Sequence, residues 1–221
     1  MLVVIIADFG LSTLLIREIS RNKKLASKYI TNALAVKFLL SFFTLFTAYI
    51  FLNAMNYGGE IKLVAYIMLA FTLLQSFTDL YYSIFRAFEK MHYGAFIKVL
   101  RMLILVTSVF YVIKSGFGLV ASSMMFVITE AFVLIVAIVI VYTRFIKISF
   151  DFDAKFSKLI LKTSFLFFLS LIFTNLFMFA DSIIISKMIS TTEVGIYAAA
   201  ANIMIAAVFI PMVYGTSIYP V

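Results

Sequence analysis

The chain has 221 residues, 65% of them hydrophobic and only 13% charged, with a formal net charge of +8 and a mean hydropathy of +1.15. A soluble domain is about half apolar and about a quarter charged, so this is a membrane-embedded protein. Its lack of cysteine excludes disulfides, thiolate nucleophiles and cysteine-based metal sites.

The first segment, MLVVIIADFGLSTLLIREISRNKK, carries its charges after the apolar run, whereas a secretory signal carries them before it. Crossing about 30 Å of hydrocarbon takes roughly 20 helical residues. Met1 to Ile16 is shorter than that and is interrupted by Asp8 and Gly10. The segment therefore reads as the last part of a spanning helix whose beginning lies upstream, ending at Arg17, Glu18, Arg21, Lys23 and Lys24.

Six apolar stretches follow, at about 30–52, 63–85, 95–113, 118–141, 163–186 and 194–221. Each is long enough to span as a helix, and none has the ten-residue alternation of a barrel strand. The last contains Pro211 and Gly215, which membrane helices tolerate as kinks, and it reaches Val221 without a polar cap. The expected fold class is all-α: a polytopic membrane helical bundle of about six full transmembrane helices plus a partial N-terminal one.

The loops alternate in charge. Arg17, Arg21, Lys23, Lys24 and Lys28 follow the first segment; Arg86, Lys90, Lys98 and Arg101 form a second basic region; Arg144, Lys147, Lys155, Lys158 and Lys162 form a third. The intervening loops hold only Lys62, Lys114 and Lys187, leaving Lys37 inside a span. The positive-inside rule places the three basic loops in the cytoplasm, with the chain in the cytoplasmic membrane. The positive balance then reflects topology and contact with anionic lipid, with no nucleic-acid partner. The most polar interruption, residues 144–162, is the expected boundary between two helical lobes: 1–143 is most of an N-terminal lobe, 144–162 a cytoplasmic linker, and 163–221 the first two helices of a C-terminal lobe. Asp151-Phe152-Asp153 within it has the D-x-D form that some glycosyltransferases use to hold a metal–nucleotide, but no second acidic cluster accompanies it. A solvated, charge-balanced linker is the better reading.

Polar side chains at bilayer depth are costly and tend to face protein or a water-filled cavity. In the 63–85 helix, Thr72, Gln75, Asp79, Tyr82 and Arg86 follow helical steps and form one stripe; Lys37, Ser41, Thr44 and Ala48 do the same in the 30–52 helix. Ser123 and Glu130 share a face of the 118–141 helix, with Glu130 near mid-membrane. In the 163–186 helix, Asn175 and Ser182 share one face, and Thr174 and Asp181 an adjoining one. Tight helix packing explains the Ser, Thr and Ala positions, and Lys37 and Asp79 lie close enough to the cytoplasmic side to snorkel. Glu130 points instead to a cavity or coupling role, and the stripes together suggest a shared hydrated pathway. Enzyme chemistry is not expected. The single His92 lies in the FRAFEKMHYG turn as a solvated side chain, and there is neither a metal motif nor a Gly-rich phosphate loop.

Three stretches resemble the oligosaccharide flippases of polysaccharide biosynthesis, in the multidrug/oligosaccharidyl-lipid/polysaccharide exporter superfamily. DFGLSTLLIREISRNK, with Asp8, Gly10, Arg17 and Glu18, resembles the cytoplasmic end of that family's second helix. FADSIIISKMISTTEVGIYAAAANI, with Asp181, Gly195, Tyr197 and Ala198, resembles its seventh helix and the start of its eighth. FRAFEKMHYGAFIKVLR resembles the turn between its fourth and fifth. The resemblance implies part of a two-lobe exporter fold that moves a polyprenyl-linked oligosaccharide across the cytoplasmic membrane by alternating access. Its implied partners are that lipid-linked glycan, membrane lipids and glycan-assembly proteins. It implies no cofactor beyond a coupling H+ or Na+. Lys37, Asp79, Arg101, Glu130, Asn175 and Asp181 are the candidates for the pathway or its gating, with cations attracting the diphosphate and acids binding the ion or pairing with the cations. The competing expectations are a multidrug/cation antiporter of the same superfamily, and a truncated, non-functional fragment or membrane scaffold.

Overall fold

A computed structural model describes residues 6–54, 58–146 and 151–188, with single helical positions at 197, 200, 201, 204 and 207; side chains are described continuously as far as Thr174. The described elements are helices: α1 (Leu11–Arg21), a 3-10 turn (Lys23–Leu25), α2 (Ala26–Ala54), α3 (Gly59–Ala87), α4 (Met91–Lys114), α5 (Leu119–Arg144) and α6 (Ala154–Met188). Five helices among the described residues are long and apolar enough to cross a membrane, which makes the fold the polytopic all-α bundle expected. Each extends a few residues beyond the apolar run that announced it, because polar residues at the ends continue the helix into the headgroup region. The proposed last span, 194–221, with Pro211 and Gly215, lies for the most part outside the described residues.

The chain falls into two compact units, Met1–Ile172 and Phe173–Val221. In the first, α3 packs most extensively on α5 and then on α1, while α4 lies against α5. The core is continuous through Leu15 and Ile19 of α1, Ile30 and Ala33 of α2, Leu80, Ile84 and Phe85 of α3, Ile97 of α4, and Val133, Ala137 and Val141 of α5. The opposite face of α4 carries Phe96, Val99, Leu103, Val106 and Phe110, all well exposed. An unbroken apolar face of this kind suits hydrocarbon.

The first segment is not a plain helix end. Helical residues at 6–8 are followed by Phe9 and Gly10, both left-handed with φ of 47° and 74°, before α1 begins. At 11 residues, α1 is about 16 Å long, half a bilayer. Gly10 is required twice over. Its φ favours glycine, and a Cβ there would lie 2.7 Å from Phe167 Cβ and 2.8 Å from the Ser164 carbonyl of α6. Phe9, turned outward by the same break, stacks on Phe168 with ring centroids 4.3 Å apart.

The three basic loops meet at one end of this unit. Lys23 approaches Glu89 at 3.8 Å and lies over the Phe88 ring. Phe145 packs edge-on against Phe85, Phe88 and Tyr93, and Lys28 pairs with Asp153 at 3.6 Å.

Candidate functional site

Many hydroxyl groups of the spanning helices are satisfied by their own helix, whereas the hydroxyls of the stripe members Ser41 and Tyr82 have no hydrogen-bond partner among the described residues. Thr44 donates to the Leu40 carbonyl, Thr72 to Leu69, Thr78 to Leu74, Ser83 to Leu80 and Ser123 to Leu119, at 2.6–3.1 Å. Back-bonding of this type lets Ser and Thr sit in a membrane helix without a hydrated partner. Of the charged groups within the spans, Lys37, Arg101 and Glu130 are in ion pairs.

Lys37 of α2 is wholly buried, and its Nζ meets Asp8 Oδ1 at 3.0 Å; Ser12 donates to the same oxygen at 2.6 Å. The left-handed break at Phe9-Gly10 is what sets Asp8 off from α1 and gives it both donors. The ammonium also lies 5.8 Å from the Phe77 ring of α3. A charge removed from water requires a partner and hydrogen bonds, and Lys37 has both inside the bundle. Its side chain therefore does not snorkel to the headgroups.

Glu130 of α5 is 1% exposed, and its Oε2 lies 2.8 Å from Arg101 Nε of α4. The contact is an ion pair outside hydrogen-bond geometry, so neither Glu130 oxygen has a hydrogen-bond donor. Arg101 is braced on its other side by the Phe71 ring, 5.6 Å from the guanidinium carbon. Asp79 of α3, half-buried, lies within electrostatic reach of Asp8, Lys37, Glu130 and Lys98. Two ion pairs thus involve three of the six candidate pathway residues, Lys37 with Asp8 and Arg101 with Glu130, while Asp79 lies within electrostatic reach of both pairs and is in no ion pair among the described residues. Asn175 and Asp181 fall on α6, but their side chains lie outside the described residues, as do Gly195 and Ala198. Tyr197 is helical and exposed.

Arg17 and Glu18 sit at the end of α1, where Glu18 approaches Arg17 at 3.6 Å and Arg21 at 3.9 Å. These are partly exposed pairs that hold the helix end together.

Asn32 is a residue that the sequence reading did not single out. It is fully buried in α2. Its Nδ2 donates to the Lys28 and Asp151 carbonyls at 2.8 and 2.9 Å, and its Oδ1 accepts from the Asp153 N–H at 2.9 Å and the Ser157 hydroxyl at 2.8 Å. Asp153 in turn caps α6, its Oδ1 accepting from the N–H groups of Lys155 and Phe156. Those backbone donors, Phe156 first, and then Lys28 hold its carboxyl below the usual carboxylate range. Asp153 of the D-x-D thus uses its carboxylate to start α6, and Asp151 contributes its backbone carbonyl to fastening residues 151–157 to α2. A lone Asn one turn inside an apolar run was the available signal.

Long apolar helices with internally paired charges define a polytopic membrane protein with a polar seam through its bundle. The chain belongs to the polysaccharide biosynthesis protein family, whose model matches residues 1–221. That makes it a membrane protein of polysaccharide biosynthesis and transport. No curated protein and no solved structure matches it.

Proposed function

We propose that this chain acts in a flippase that carries a polyprenyl-linked oligosaccharide across the cytoplasmic membrane by alternating access, with its three basic loops in the cytoplasm. The reading rests on family membership together with one observation: two ion pairs within the bundle, Asp8–Lys37 and Arg101–Glu130, with Asp79 in electrostatic reach of both. An amphipathic lipid-linked sugar needs hydrogen-bonding groups for its head while its tail stays in lipid. Paired charges suit that task, because each pair can open to engage a diphosphate or a coupling H+ or Na+ and then close without leaving an isolated buried charge. The protein makes and breaks no covalent bond in this scheme, and it works without a bound cofactor. Glycan-assembly proteins are its expected neighbours in the membrane.

The test is surface-glycan export in cells that depend on this protein. Glu130→Gln at unchanged membrane abundance should reduce export at least tenfold, and Lys37→Ala should do the same. Normal export by both variants would overturn the assignment. Loss of drug tolerance with intact glycan would point instead to a cation antiporter.

A further inference from the structure

Where α3 turns into α4, a cavity of about 240 Å³ is walled by Tyr82, Phe85 and Arg86 from α3 and by Met91, Gly94 and Lys98 from α4. We infer that this cavity is a binding site for the phosphate of a membrane-anchored lipid.

Three features fit an anion. Arg86 and Lys98 are exposed and neither lies within 4.0 Å of a carboxylate among the described residues, Asp79 acting on Lys98 only at longer range. The wall includes the first turn of α4, which has no side-chain cap and no acidic residue, so its N–H groups and the positive end of the helix dipole face no protein anion there. The turn's own carboxylate, Glu89, is directed to Lys23 and does not line the cavity. Tyr82, a wall residue only 4% exposed, carries the Lys98 ammonium 5.4 Å from the centroid of its ring and so holds that charge at the cavity.

Two features fit a lipid and not a free ion. The cavity is apolar on the Phe85 and Met91 side. It also adjoins the exposed face of α4, where Phe96, Val99 and Leu103 give an acyl or isoprenoid chain a continuous apolar track. Gly94 keeps the floor open: a Cβ there would meet Phe85 and Tyr82 only at 3.8 Å, so a small side chain fits and a large one fills the space. The site does not depend on which solute the protein moves. Phosphate could come from a resident anionic phospholipid or from a polyprenyl diphosphate, since both present the same chemistry on a membrane anchor.

Native mass spectrometry of the purified chain in detergent micelles tests this, with titrations of phosphatidylglycerol, phosphatidylcholine and a polyprenyl diphosphate. Phosphatidylglycerol should bind at least tenfold more tightly than phosphatidylcholine. Arg86→Gln/Lys98→Gln should abolish that preference, while the equally neutralising Lys24→Gln/Lys158→Gln should retain it. Gly94→Leu, which changes no charge, should weaken binding by filling the cavity, and it serves even if the double variant does not fold. Tighter binding of polyprenyl diphosphate than of phosphatidylglycerol would identify the lipid-linked carrier as the occupant; the reverse order would identify a bilayer lipid. The inference fails if Gly94→Leu and Arg86→Gln/Lys98→Gln both bind like the wild type, or if Lys24→Gln/Lys158→Gln loses as much as Arg86→Gln/Lys98→Gln.

Discussion

Single residues decide whether the polar seam is stable. Arg101→Leu strands Glu130, 1% exposed, without its counter-charge. Removing one member of a buried pair costs about 3–5 kcal/mol, and adding Glu130→Leu should restore most of that. Unfolding of the purified protein in mixed micelles against increasing SDS measures both, and equal stability of the single and double variants would contradict the pairing. Gly10→Ala combines a left-handed backbone with contacts under 3 Å to α6. A loss of about 2–3 kcal/mol is expected in the same assay. Asp153 has the opposite exposure, and its effect is one of pH. Its folded carboxyl is held below the ordinary aspartate value of about 3.9, chiefly by the Phe156 N–H. Its contribution is therefore present above that value and is lost as pH falls through the lower, folded value. The unfolding midpoint of the wild type should drop more steeply below pH 4 than that of Asp153→Ala.

At the scale of elements, the bundle depends on how its cytoplasmic-side connections are fastened. Asn32 makes four hydrogen bonds, three of them to residues 119–125 positions away. No apolar residue can replace them, because the buried carbonyl of Asp151 and the Asp153 N–H would be left without partners. Asn32→Leu should therefore raise amide hydrogen exchange at Asp153, Lys155 and Phe156 by at least tenfold and leave the middle of α5 unchanged. Unaltered exchange at those three amides would mean that the start of α6 is held by something else. Helix positions were legible in advance because each depends on a local run of apolar residues. The break at Phe9-Gly10 was legible only as an interruption. Its left-handed geometry and the role of Asp8 as partner to Lys37 required knowing that α2 and α6 pack beside it.

For the molecule as a whole, the charge alternation of the loops becomes a statement about space. Lys23–Glu89 and Lys28–Asp153 link the three basic regions at one end of the first unit, which fits their sharing one side of the membrane. A chain with no cysteine suits accessibility mapping. Lys23→Cys, His92→Cys and Lys155→Cys should all be shielded from a membrane-impermeant maleimide in intact cells, while Lys62→Cys and Ser115→Cys react. Labelling of position 23 from outside would invert the topology.

The amino-acid sequence alone determined that the protein lives in a membrane, where its helices run and which loops are basic. Each of these follows from apolar run length and charge, which are properties of neighbours along the chain. Tertiary structure decided which charges are partners: Asp8 with Lys37 from 29 positions away, Arg101 with Glu130 across two helices, and Asn32 with the start of α6. Such pairings exist only when separate helices pack within hydrogen-bonding distance. Periodicity reports which face of a helix a residue occupies and says nothing about what stands opposite. The opening ADFGLS shows both kinds of information: its sequence marks an interruption, and only packing against α2 and α6 turns that interruption into a carboxylate held for a buried lysine.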